Sequence, residues 1–227
     1  MRHDHDLAIE GSEELILRAD AAPTPSYDDD ENYRLYVQGK YVAMAIARPP
    51  TDSDVIGPYF RKGAPFRAKV TPPNEPGTTL LISGRVWGAD SRRPLRGVSV
   101  DIWQANAEGH YDNEDSQHPP PPHSFKNRTR VVTDENGYYE YETIHPGAYK
   151  MDPTTWRSPH IHYRVHHFGY RRLITQLFFK DDPHEDSDPF FKASLVIQLS
   201  KGELNGGPYR ARTGHLRIAN AALYQMS

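Results

Sequence analysis

Cysteine does not occur among the 227 residues, which removes disulfides, thiolate metal sites, iron–sulfur clusters and a thiol nucleophile together. Any metal this chain holds takes nitrogen and oxygen ligands. Long apolar runs are missing as well: no stretch approaches the roughly 18 residues that a membrane-spanning helix needs. The start, Met1-Arg2-His3-Asp4-His5-Asp6, carries acids where a secretory signal has a basic and then an apolar segment. A basic stripe is also lacking, so nucleic acid is not an expected partner. These absences give the expectation of a cytoplasmic chain without membrane contact.

What is present suits a globular fold of many short elements. Twenty prolines and 16 glycines punctuate the chain, and 14 of its residues are tyrosine, a composition of frequent turns between short strands. The formal net charge of −3 is unevenly placed. Residues 1–32 hold 10 acids and 2 bases, a net −8, leaving 25 − 20 = +5 for the rest. The acidic lead reads as a solvated arm, and the mildly basic body suits a small anionic or phenolic ligand. The expected division is an N-terminal region, 1–77, of acidic arm, short helix and loops, followed by a β-rich domain, 78–227.

In the N-terminal region a short helix is expected near Ser12–Asp20. A clearer one spans 30–47, with Asp30 as N-cap and Tyr33, Val37, Tyr41 and Met44 on one face. From Thr79 the period changes to two. Leu80 to Trp87 reads as a strand, and Val98, Val100 and Ile102 alternate with Ser99, Asp101 and Trp103 as a half-buried one. Strands are expected at 129–133, 138–143, 160–167, 172–179, 194–199 and 214–220. Asp134-Glu135-Asn136-Gly137 reads as a hairpin turn. Seven or eight antiparallel strands indicate a mainly β fold, an antiparallel β-sandwich with a short helical N-terminal extension.

One stretch stands out, Trp156-Arg157-Ser158-Pro159-His160-Ile161-His162-Tyr163. Successive side chains of a strand point to opposite faces, so His160 and His162 share one, with Cβ atoms about 7 Å apart. Two imidazoles so placed converge on one ion, although a lone His-x-His is also common on solvated faces. Tyr111 and Tyr149 each follow a turn and a glycine, in Gly109-His110-Tyr111 and Pro146-Gly147-Ala148-Tyr149. Taken singly, both would read as sandwich tyrosines with hydroxyls at the rim. Asp181, Asp182, Glu185, Asp186 and Asp188 fit no calcium-loop spacing and read as a charged surface turn.

The ordered set Trp-x-x-x-x-x-Gly-x-Tyr (103–111), Asp-x-x-Gly-Tyr-Tyr (134–139), Pro-Gly-x-Tyr (146–149), Arg-x-x-His-Ile-His (157–162) and Thr-Gln (175–176) resembles the intradiol ring-cleavage dioxygenases. The resemblance covers residues 78–182 densely. It implies the transthyretin-like sandwich of that family and one mononuclear non-haem Fe(III) per chain, with Tyr111, Tyr149, His160 and His162 as ligands. It further implies Arg157 and Gln176 as active-site residues and Gly57-Pro58-Tyr59 at the substrate mouth. The Pro-Gly-x-Tyr tyrosine, Tyr149, would be the ligand that yields to substrate, on a turn that looks flexible. The implied reaction inserts both atoms of O2 into a small aromatic diol (protocatechuate, catechol or hydroxyquinol) and gives a cis,cis-muconate-type diacid. A homodimer or larger oligomer is expected. Where the iron-bearing protocatechuate chain has a tryptophan two residues after this tyrosine, Met151 stands here.

Two phenolates suit a trivalent ion. A free phenol titrates near pH 10, so ionising each at pH 7 opposes roughly 4 kcal/mol, which a ferric ion at bonding distance supplies. Arg157 would place a preorganised positive charge beside an electron-rich ring; its bland alternative is a structural salt bridge. Arg61, Lys62, Arg67 and Arg85 are candidates to meet a substrate carboxylate. Two rival readings remain at this point, a non-catalytic transthyretin-like binding sandwich and a zinc hydrolase using the two histidines, the latter without a further histidine or carboxylate at convincing spacing.

Overall fold

The computed structural model describes residues 50–89, 91 and 93–197, together with the backbone of two short strands, Ala211–Arg212 and Ala221–Leu223. The acidic arm, both expected helices and the expected strand at 214–220 lie outside the described residues.

The described part is mainly β. In chain order the strands are β1 (Thr79–Gly88), β2 (Ser99–Gln104), β3 (Arg128–Val132), β4 (Tyr138–Ile144), β5 (Tyr149–Lys150), β6 (Trp156–Arg157), β7 (His160–His166), β8 (Leu173–Phe179), β9 (Val196–Ile197), β10 (Ala211–Arg212) and β11 (Ala221–Leu223). One sheet runs β3-β2-β7-β8-β9, a second joins β1 to β4, β10 and β11, and β5 with β6 forms a separate ribbon. The expected strand at 194–199 is a 3-10 turn, Ala193–Leu195, followed by β9. No helix among the described residues is long and apolar enough to cross a membrane.

Pairing is antiparallel at the centre of both sheets. The antiparallel expectation is corrected at the margins, where β9 joins β8 and both β10 and β11 join β1 in parallel. Those late strands arrive after long connections rather than tight turns, and a parallel neighbour requires such a connection. The Asp134–Gly137 turn also differs from expectation, because it joins strands of different sheets. Thr133 N donates to the Val98 carbonyl and keeps the end of β3 with β2, while Val86 N donates to the Gly137 carbonyl and draws β4 onto β1.

Apolar side chains of both sheets meet in one core. Leu80, Ile82 and Tyr141 come from one sheet, and Val100, Ile102, Ile161, Tyr163, Val165 and Leu177 from the other. The reading of β2 as half-buried is corrected, since Asp101 and Trp103 on its second face are only 3% and 2% exposed. The reason is the segment from Asp52 to Val70, which lies across that face. Asp54 N donates to the Ile174 carbonyl and Thr175 Oγ1 to the Asp52 carbonyl, at 2.8 Å each. Phe66 bridges to Arg130 and Lys69 to Glu142. Phe60 packs edge-on against Trp103 at 5.0 Å, under the Arg164 guanidinium at 4.8 Å.

The two glycine–tyrosine turns interlock. Gly147 N donates to the Asn106 carbonyl at 2.8 Å, and Asn106 Oδ1 accepts from the backbone N–H groups of Glu108 and His110. A Cβ on Gly147 would stand 2.4 Å from the Ala107 carbonyl oxygen, and one on Gly109 2.3 Å from that of Ala148. Such backbone-on-backbone contact is open only to glycine. Gly147 is therefore pinned, contrary to the flexible turn read from its sequence. We expect Gly109→Ala, which adds this overlap to an unfavourable φ of +89°, to lower unfolding stability by about 2–5 kcal/mol. Gly169→Ala, with φ +81° but nothing within 4 Å, should cost only about 1–2 kcal/mol. Denaturant titration of the two variants tests the difference.

Candidate metal centre

β7 carries its imidazoles on the face opposite the core. His160 and His162 are 2% and 1% exposed, and their Nε2 atoms lie 3.2 Å apart. His160 Nδ1 is 2.6 Å from the Ser158 carbonyl. A carbonyl only accepts, so Nδ1 carries the hydrogen and Nε2 presents a lone pair to the site. Burial, reinforced by the Arg157 charge, pushes the pKa of His160 down to about 3. Burial and the neighbouring His160 hold His162 well below the usual imidazole value. Both rings are therefore neutral donors at pH 7.

The neighbouring strands orient His162. Trp103 of β2 and Gln176 of β8 are its cross-strand partners. The indole stacks on its ring at 4.8 Å and 2°, a contact that no sequence motif announces. The Val55 carbonyl favours a proton on this ring, yet Nδ1 has no hydrogen-bonding partner in good geometry. Gly57, with φ +70°, brings its backbone against the same ring, where a Cβ would stand 3.2 Å from Cε1.

Both tyrosine rings stand beside these imidazoles. Tyr111 is buried, with its hydroxyl 3.4 Å from His160 Nε2. The half-buried Tyr149 ring lies 5.8 Å from those of His160 and Tyr111. Burial pushes the Tyr111 phenol well above its ordinary value, with Tyr149 adding to the rise. It pushes Tyr149 up to about 12, against the opposing charge of Arg157. The structure thus brings all four residues singled out in the sequence to one place. Among the described residues, no group of three histidine, aspartate or glutamate side chains is arranged to hold a metal.

Arg157 is 2% exposed and stands directly across the β5–β6 ribbon from Tyr149. Its Nε donates to both oxygens of Asp188 at 3.0 and 3.1 Å, and its NH2 group to Gln176 Oε1 at 2.6 Å. The guanidinium also covers the Phe190 ring at 4.8 Å. This corrects two expectations. Arg157 does form a buried salt bridge, beside the histidines rather than instead of facing them, and Asp188 leaves the supposed charged surface turn, being 6% exposed.

The mouth residues have mixed positions. Tyr59 is half-buried and stacks on Tyr111 at 4.2 Å, so it walls that ring, while Pro58 is exposed. The four basic candidates for a carboxylate partner do not gather here. Arg61 donates to Asp112 and to the carbonyls of Pro121 and Ser124, and Arg67 to those of Val70, Phe125 and Arg128. Arg85 donates to the Asn136 carbonyl at 3.4 Å, and Lys62 is exposed. An open cleft of about 340 Å³ lies beside Val55, between Ser53–Asp54 and Pro189–Lys192. Sequence reasoning missed this wall, since Phe190 and Phe191 carry no motif.

Comparison with known proteins decides the family. The profile of a family described as dioxygenase matches residues 55–214. A chlorocatechol 1,2-dioxygenase of Rhodococcus opacus is 35% identical over 177 residues, covering 69% of this chain and 67% of the relative. An intradiol ring-cleavage dioxygenase of Aspergillus niger is 32% identical over 170 residues, covering 66% and 52%. The chain belongs to the intradiol ring-cleavage dioxygenase family. It spans between half and two-thirds of the length of these curated relatives. The crystal structure of 3-chlorocatechol 1,2-dioxygenase from Rhodococcus opacus 1CP superposes with a TM-score of 0.64 at 26% identity, covering 95% of this chain and 87% of the other.

A buried ion pair ties the Tyr111 turn to the mouth segment. Arg128, 1% exposed, donates from Nε to Asp112 Oδ1 at 2.7 Å, from NH1 to the Tyr59 carbonyl and from NH2 to Asn113 Oδ1, both at 2.5 Å. Arg128→Met would leave Asp112 with Arg61 as its remaining cation among these contacts. Removing one partner of a buried pair costs about 3–5 kcal/mol, so we expect a loss in that range. Thermal unfolding measures it, and a near-ultraviolet circular dichroism change would report loosening of the Tyr59–Tyr111 stack.

Proposed function

We propose that this chain is an Fe(III)-dependent intradiol dioxygenase, inserting both atoms of O2 into a catechol-type ring to give a cis,cis-muconate-type diacid. The observation that carries this reading is the convergence of two neutral imidazoles and two phenols in one buried site. Two hard oxygen donors with two nitrogens fit a ferric ion. The lone pair of His160 Nε2, 3.2 Å from His162 Nε2 and 3.4 Å from the Tyr111 hydroxyl, is the arrangement that a shared cation satisfies. Tyr111, Tyr149, His160 and His162 would hold it. Ferric iron so held would supply the charge that ionises the phenols and polarises the diol.

The chain's own residues would divide the remaining work. Tyr149, less buried than Tyr111, is the better placed of the two for its phenolate oxygen to accept a hydroxyl proton from an entering diol. Arg157 would offer positive charge to the electron-rich ring, with Gln176 and Asp188 fixing its plane. Gly57 and Pro58 would border the entrance, with Tyr59 backing Tyr111. The cleft beside Val55, walled by Phe190 and Phe191, adjoins the Arg157 guanidinium through the Phe190 ring. The meeting of two sheets in one core supports the reading of the fold as a β-sandwich.

The purified protein should carry stoichiometric iron and a burgundy ferric–tyrosinate band, and should consume O2 with at least one of catechol, hydroxyquinol and protocatechuate. A colourless, iron-free protein inactive after iron loading would overturn the proposal. His160→Ala or His162→Ala should lose most of the iron with the fold intact by circular dichroism. Arg157→Lys keeps the charge but not the planar fork, so iron and colour should persist while turnover falls by about 100-fold.

A further inference from the structure

Asp188 sits where the sequence shows only an acidic turn, yet its side chain is wholly inaccessible to solvent. N–H donors occupy both of its oxygens. Arg157 Nε reaches both, Ser158 N donates to Oδ2 at 2.8 Å, and Phe190 N donates to Oδ1 at 2.9 Å. Local sequence explains the conformation. The 3-10 turn Glu185–Ser187 ends on Asp188, which adopts extended geometry (φ −85°, ψ 111°) because Pro189 disfavours a helical residue before it. The turn then presents the carboxylate inward.

We propose that Asp188 is the positioning residue for Arg157, and that it couples the guanidinium to the Pro189–Phe191 wall of the cleft. Nε, held by Asp188, and NH2, held by Gln176, fix two points of a planar group, and two points fix its orientation. Rotation about the last side-chain bonds is thereby blocked, and the edge toward Tyr149 has a single direction. The same carboxylate holds the Phe190 backbone, and the Phe190 ring lies under the guanidinium. Asp188 would touch neither ring nor O2, and would act wholly through Arg157. The inference rests on the function proposed above.

The test uses the iron-loaded chain with Asp188→Asn, Asp188→Glu and Arg157→Lys, and a double variant that combines the first and third changes. Asparagine keeps the shape but offers a donor where Ser158 N, Phe190 N or Arg157 Nε also donates, so the grip fails without a cavity. For Asp188→Asn we expect the visible band to persist and catechol binding without O2, read from the spectral shift, to stay within about threefold. Turnover with O2 should fall by about 10- to 100-fold, as for a small misplacement of a catalytic group. Asp188→Glu should recover part of it.

In the Arg157→Lys background the Asp188→Asn change should add little, because residues acting through one another are not additive. Turnover by Asp188→Asn equal to the parent chain, or independent losses that multiply in the double variant, would overturn the inference. If Asp188→Asn loses iron and band, Asp188 supports the metal site rather than Arg157, and the inference also falls. A parent chain without band or O2 uptake would instead sink the proposed function, so the two failures are distinguishable.

Discussion

A strand buried on both faces carries the whole arrangement. In β7 the residues Ile161, Tyr163 and Val165 fill the core, and His160 and His162 between them face the site. Because the side-chain period is two, a slip of one residue would drive the imidazoles into the core and expose the apolar set. The core therefore fixes the register of the face that carries the two imidazoles. β2 and β8 fix it again from either side, by pairing Trp103 and Gln176 with His162. The low polarity needed for packing is also what keeps both imidazoles neutral and ready to donate lone pairs.

Burial works in the opposite sense on the tyrosines. It favours the neutral phenol, so ionising Tyr111 and Tyr149 at neutral pH opposes more than the roughly 4 kcal/mol of a free phenol. The protein places these groups where only a strong cation makes them anions, and holds their turns by backbone contacts too close for any side chain. Rigid turns with unfavourable ionisation describe side chains held in place by the fold, the preorganisation that the proposed ferric ion would require.

Around this centre the charged residues serve as fasteners. Asp101 accepts from Arg130 at 3.0 Å and from Arg164 at 2.9 Å, one cation on each neighbouring strand. Asp112 does the same for Arg61 and Arg128, and Asp188 for Arg157. Each carboxylate joins segments distant in sequence, and together they bind the 52–70 segment and the 188–191 segment to the sheet.

The shared face of His160 and His162 was legible in the sequence because alternation on a strand is a local pattern, whereas Tyr111 and Tyr149 were marked only by the ordered set of motifs that resembles the family. The absence of cysteine had already narrowed the ligands to nitrogen and oxygen. Strand positions were legible for the same reason, from Leu80 to Phe179. What the sequence could not carry was partnership across the chain. Asn136-Gly137 looks like a hairpin until β3 and β4 are found in different sheets. Asp101 and Trp103 look solvated until residues from Asp52 onward cover them. Asp188 is one acid among five in a polar turn, and only the fold brings it to an arginine 31 positions away. Local periodicity determined which residues point the same way, whereas which side chains are buried, paired and held depends on contacts between distant segments, and those the tertiary structure alone decided.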